Sequence, residues 1–221
     1  MLKRICLVAL TCVVPATPAL AQEPRVEISA LVGWALSEGV DGNPVATADG
    51  NIYDRVDPKD SFGWGLMGGF LVSEEGEVGF MFRQQLTTLE ASGTNTTDIG
   101  DMTVNYYHGY FSYNFLPGAR VRPYVLGGLG ASNYSSVDYT RLNGLTGTIG
   151  GVTRFSSTWG AGLKVGGSPN VGARLGVLWT PTYIKSDAVG WWCDPFWGCY
   201  LVGDAQYSRQ FEFSGGITFR F

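Results

Sequence analysis

An apolar/polar alternation of period two recurs in eight segments of this chain, and it constrains the fold more than any other feature. In QFEFSGGITFRF, Phe211, Phe213, Ile217, Phe219 and Phe221 share one parity, while Glu212, Ser214, Gly216, Thr218 and Arg220 share the other. RVEISALVGWAL repeats the pattern with Val26, Ile28, Ala30, Val32, Trp34 and Leu36. SFGWGLMGGFLV does so with Phe62, Trp64, Leu66, Phe70 and Val72, and EVGFMFRQQL with Val78, Phe80, Phe82 and Leu86. NYYHGYFSYNF carries Tyr107, Phe111, Tyr113 and Phe115, RFSSTWGAGLKV carries Phe155, Trp159, Ala161, Leu163 and Val165, and VGARLGVLW carries Val171, Ala173, Leu175, Val177 and Trp179. VRPYVLGGLGAS is ambiguous, because Tyr124 and Leu126 oppose the set Val121, Val125, Leu129 and Ala131. Side chains of a strand alternate between its two faces, so such segments are strands with two unlike environments.

The connections between the segments alternate too. Ser73–Gly76, Leu116–Arg120 and Gly167–Asn170 are short and rich in Gly, Pro and Asn, the residues of tight turns. Ser37–Asp60, Leu89–Gly100, Tyr134–Gly151 and Pro181–Gln210 read as long loops. A short–long rhythm over an even number of strands describes an antiparallel up-and-down barrel with both chain ends on one side.

Composition decides which face meets which medium. A soluble lipocalin-like barrel would also alternate, but its exterior would be dense in charge. Here charged residues are 15% of the chain against about 25% in soluble domains. Aromatic residues are 14% and glycines number 32. The polar parity is mostly Gly, Ser, Thr, Gln and Tyr, which suits a crowded lumen better than a wetted surface. The apolar parity gathers Trp34, Phe62, Trp64, Trp159 and Trp179 toward one rim. Phe70, Phe80, Phe82, Tyr113, Phe115, Phe219 and Phe221 gather toward the other, as in the aromatic girdles of a membrane barrel. In lipid every backbone polar group must pair internally, so strands there must close on themselves.

Residues 1–21 read as a secretory signal: Lys3 and Arg4, an apolar run Ile5–Val14, then Ala19-Leu20-Ala21 as a cleavage site. That run is too short to span a bilayer as a helix. Its removal leaves residues 22–221 as one barrel domain. The balance becomes 13 basic residues (15 less Lys3 and Arg4) against 19 acidic, a net of −6, which argues against nucleic acid as a partner.

From Val26 to Phe221 the sequence resembles the small outer-membrane barrels of Gram-negative bacteria, of the outer-membrane protein A and opacity-type surface antigen kind. The resemblance rests on the signal, the eight strands, the loop rhythm and the terminal GITFRF. It implies an eight-stranded transmembrane barrel in the bacterial outer membrane, with short periplasmic turns and long extracellular loops, surrounded by lipid and lipopolysaccharide. It also implies that Phe219 and Phe221 form a C-terminal signal for the barrel-assembly machinery. The peptidoglycan-binding domain of longer members is not expected after the barrel.

The lumen parity holds Glu27, Glu77, Arg83, Arg122, Lys164, Arg174, Glu212 and Arg220. Unpaired buried charge costs several kcal/mol, so these residues should pair, with Glu27 meeting Arg220 where the first and last strands close the barrel. Eight strands leave an interior just wide enough for side chains, which favours a filled core over a gated channel. Cys193 and Cys199 are the only cysteines after the signal and sit in an oxidising compartment, which makes them a disulfide candidate. Trp191, Trp192, Phe196, Trp197 and Tyr200 crowd around them, as either an extracellular contact knob or a small core over the mouth. Two cysteines and one distant His do not make a metal site. Asp41, Asp49, Asp54, Asp57 and Asp60 read as a solvated acidic loop. His108 and Ser112 share a parity and form the one pair that invites catalysis, but no acid supports them and they face the lumen.

The expectation is a monomeric barrel without cofactor or catalysis, serving envelope integrity or contact with a host or envelope surface through its loops. A narrow pore for small solutes and a lipid A-modifying enzyme are the alternatives.

Overall fold

A computed structural model describes residues 26–46, 52–140, 146–167, 170–184, 193–194, 198–199 and 206–221. The expected signal segment lies outside the described residues. Eight strands make the barrel: β1 (Val26–Glu38), β2 (Ser61–Leu71), β3 (Gly76–Gly93), β4 (Thr96–Asn114), β5 (Val121–Tyr134), β6 (Val152–Gly166), β7 (Val171–Ile184) and β8 (Gln206–Arg220). Each pairs antiparallel with its sequence neighbours. β8 returns to β1, with Glu27 opposite Arg220 and Leu36 opposite Phe211. The seam ends in reciprocal backbone bonds between Val26 and Phe221, of 3.2 and 3.0 Å.

The alternation sorts as physics requires. Ile28, Val32, Trp34, Phe62, Trp64, Phe80, Phe111, Trp159, Leu175, Phe213 and Phe219 are exposed on the outside of the barrel, while Glu27, Ser29, Glu77, His108, Lys164, Arg174 and Thr218 are buried in the lumen. The ambiguous segment resolves with Tyr124 and Leu126 inside, each about 5% exposed or less, and Val121, Val125 and Leu129 outside. The three short connections lie at the end of the barrel that holds Val26 and Phe221. In the second, Ala119 N bonds to Leu116 O at 3.1 Å, and Gly118 takes φ 81°, a conformation that glycine adopts without penalty.

The outer ends depart from the loop boundaries expected of the sequence. Leu89–Gly100 is not a loop: β3 and β4 run on through it to a tight turn at Thr94 and Asn95. Above the bilayer both faces of these strands can be polar, so Glu90, Asp98 and Asp101 hide the period-two signal that marks a lipid-facing strand. Within Ser37–Asp60, Val40–Ala46 pairs with Ile52–Pro58, and the latter adds to the outer part of β3, with Pro58 opposite Leu89. Val137–Thr140 pairs with Thr146–Ile149 in the third connection. The barrel thus carries a crown of extended sheet on its extracellular side.

Candidate functional site

The lumen and the crown above it hold the side chains that could act. At the periplasmic end, β1 presents Glu27, β3 Glu77, β5 Arg122, β6 Lys164, β7 Arg174 and β8 Arg220. Lys164 Nζ donates to Glu27 Oε2 at 2.6 Å and to Glu77 Oε2 at 2.5 Å, so one ammonium joins three strands across the barrel. Glu27 Oε1 also accepts from Arg220 Nε at 2.9 Å and Arg122 Nη2 at 3.3 Å. Glu77 Oε1 accepts from the Tyr110 hydroxyl at 2.5 Å and lies 3.6 Å from Arg174 Nη1. The Arg174 guanidinium stacks over the Tyr124 ring, 4.4 Å from its centroid. All are wholly or largely buried, so the pairs act in a low dielectric where a lost partner is costly.

Higher up, Arg83 of β3 donates to Glu212 of β8 and to Thr180 of β7, both at 2.7 Å. Above that link, Gln210 Nε2 donates to Gln85 Oε1 at 3.0 Å. A chain of hydroxyls runs beside it: Thr182 Oγ1 and Ser132 Oγ, Ser132 and Ser156 Oγ, then Ser156 and His108 Nε2, each 2.9 Å apart. Between these polar levels Leu31, Met67, Met81, Tyr110, Tyr124, Leu126 and Leu178 pack together. At the extracellular mouth Val56, Leu89, Met102, Val104, Tyr106, Tyr134 and Val137 form a second apolar cluster.

The eight lumen charges named from the sequence therefore fall into two groups, six at the periplasmic end and the Arg83–Glu212 pair above them. The sequence reading missed Tyr110, Tyr124 and Thr180, which complete the groups. Their only sequence signal is the inward parity they share with the charges. His108 and Ser112 are not brought together: His108 bonds Ser156, two strands away, because side chains across a narrow lumen lie closer than successive inward residues of one strand. Asp57 and Asp60 are not merely solvated. Asp57 accepts from Gly39 N at 2.7 Å and Ser92 Oγ at 3.0 Å, and Asp60 from Ser37 N at 2.9 Å, so they tie the first connection to the crown. Cys193 stands opposite Cys199 in a two-residue ladder. Trp191, Trp192, Phe196, Trp197 and Tyr200 lie outside the described residues.

A closed eight-stranded barrel with an apolar exterior and a polar, filled interior is the architecture of small outer-membrane proteins. A family model described as the outer membrane protein beta-barrel domain matches residues 5–218. The chain belongs to this family. Membership in the outer membrane protein beta-barrel family places it in the bacterial outer membrane, its exposed aromatic bands against lipid. Among the solved structures that share the fold are two small outer-membrane barrels. Neisserial surface protein A is 15% identical, covers 89% of this chain and 97% of its own, and has a TM-score of 0.51. OprG from Pseudomonas aeruginosa is 12% identical, covers 90% of this chain and 97% of its own, and has a TM-score of 0.52. No curated protein matches the chain in sequence.

Proposed function

We propose that this barrel is a non-enzymatic anchor whose working part is the extracellular crown, serving envelope integrity and contact with a host or envelope surface. The observation that carries this reading is the way the lumen is filled. Links cross it at three heights, through Lys164, Arg83 and Gln85, and an apolar cluster packs at its outer mouth. A conducting path would have to break buried charge pairs and wet that cluster. The strands meanwhile continue outward into ordered sheet, which holds a contact surface at low entropic cost.

Export by a signal ending at Ala21, with a mature chain starting at Gln22, belongs to the same proposal, as does a disulfide between Cys193 and Cys199 in the last long connection. Two measurements test the reading together. Purified barrel in planar bilayers should give no unitary conductance steps. Cells expressing a variant with residues 90–99 replaced by Asn-Gly should display the barrel normally but lose adhesion across a panel of host-matrix and bacterial surfaces. Unitary steps from the intact barrel, or adhesion indifferent to the trimmed crown, would overturn it.

A further inference from the structure

The periplasmic rim has a feature that neither the plug nor the crown explains. Between the turns that follow β4 and β6 lies a groove of 410 Å³, lined by Val165, Val171 and Ala173 and by the backbone of Gly166, Gly167 and Gly172, with Arg120 at its edge. Val165, Val171 and Ala173 have the lipid-facing parity, so the groove opens toward the bilayer. It exists because small residues meet there: Ala173 pairs with Val165, and Gly172 with Gly166. Bulkier lipid-facing neighbours, Leu163, Leu175 and Phe219, stand around it, each more than 40% exposed.

Arg120 is held at this edge by its own backbone, whose carbonyl accepts from Gly166 N at 2.8 Å. Its side chain is exposed and makes no ion pair or hydrogen bond among the described residues. Behind the groove, Arg220 Nη2 is buried without an acceptor and lies 3.0 Å from where a Cβ on Gly172 would stand. The charge that the groove presents outward is therefore the Arg120 guanidinium, because Arg220 faces the lumen and is paired through Nε with Glu27.

We infer that this groove seats a phospholipid of the inner leaflet with an anionic headgroup, its phosphate on Arg120 and an acyl chain over Val165, Val171 and Ala173. Charge complementarity and position select the occupant. An exposed guanidinium at the headgroup level, without a side-chain partner among the described residues, attracts anionic lipid, and an apolar dent directly above it in the hydrocarbon region matches the start of a chain.

Native mass spectrometry of the full barrel tests this, after incubation with phosphatidylglycerol or with phosphatidylcholine bearing the same chains. One phosphatidylglycerol should be retained about fivefold better than phosphatidylcholine, the factor expected of one basic side chain near a membrane surface. Arg120→Gln, in an exposed turn, should bring the two lipids to parity. Ala173→Phe should fill the groove and lower retention of both. Arg209→Gln, an exposed cation at the opposite rim, should change nothing. Unaltered preference in Arg120→Gln, retention unaffected by Ala173→Phe, or an equal loss in Arg209→Gln would overturn the assignment. Heat-modified gel mobility of each variant establishes that it is folded. The assignment is independent of the crown: its failure leaves the adhesion reading standing, and the reverse holds too.

Discussion

Lys164 and Arg83 are both buried cations, yet their surroundings differ in a way that separates their mutational costs. Among the described residues Arg83 has one carboxylate, Glu212, and Glu212 has no other cation. Removing Arg83 strands a buried charge, so Arg83→Met should lower unfolding stability by about 3–5 kcal/mol, and Arg83→Met with Glu212→Leu should recover most of the loss. Urea titration of refolded barrel in detergent reads both. Lys164 is shared between Glu27 and Glu77, each of which keeps arginine neighbours when it is gone. Lys164→Met should therefore cost less, about 1–3 kcal/mol, in the same titration. Equal penalties for the two single variants would mean that the arginines do not compensate. The inward position of these residues is readable from parity alone. Which of them pair is not, apart from Glu27 and Arg220, because the partners lie on strands far apart in sequence and the lumen decides who meets whom.

At the scale of single elements, turns and strand ends behave differently. The turn after β4 follows from LPGAR itself: Pro117 favours the first corner and Gly118 supplies positive φ at the second. Gly118→Ala has open space around it but the wrong backbone conformation, so it should cost about 1 kcal/mol, measured by the same urea midpoint. Outer strand ends are the opposite case. β3 and β4 continue as a ladder beyond the lipid, where side-chain hydropathy no longer alternates, and their length becomes visible only through pairing with Ile52–Pro58 and packing of Leu89 and Met102 against Val56 and Val137. Protease treatment of intact cells should accordingly spare Leu89–Gly100, where β3 and β4 are paired, and cuts there would mean that the two strands end at the membrane. The hairpin of Cys193 and Cys199 belongs to the same scale. Opposed cysteines closing a short loop predict a barrel that, unreduced, resists alkylation and weighs two hydrogens less than after reduction.

For the whole molecule, the last residue shows how assembly and stability divide. The backbone of Phe221 bonds Val26 across the seam, while the residue is 68% exposed on the outer face. Phe221→Leu keeps both the seam and the apolar contact, so stability of the purified barrel should move by less than about 0.5 kcal/mol. If the ring is read during assembly, the yield of folded protein in the outer membrane of expressing cells should nonetheless fall several-fold. A fall in both quantities would place the role of the ring in the folded state. The sequence by itself determined the number of membrane strands, their inward and outward faces, the medium outside them and the tight turns, because each depends on residues near one another along the chain or on a parity that lipid enforces everywhere. Only the tertiary structure decided that three arginines gather around one ammonium and two carboxylates, that His108 finds Ser156, that apolar side chains pack at the outer mouth, and that a groove opens beside Arg120. Those contacts arise when strands distant in sequence are closed into a ring, and a narrow ring leaves each inward side chain few neighbours from which to choose.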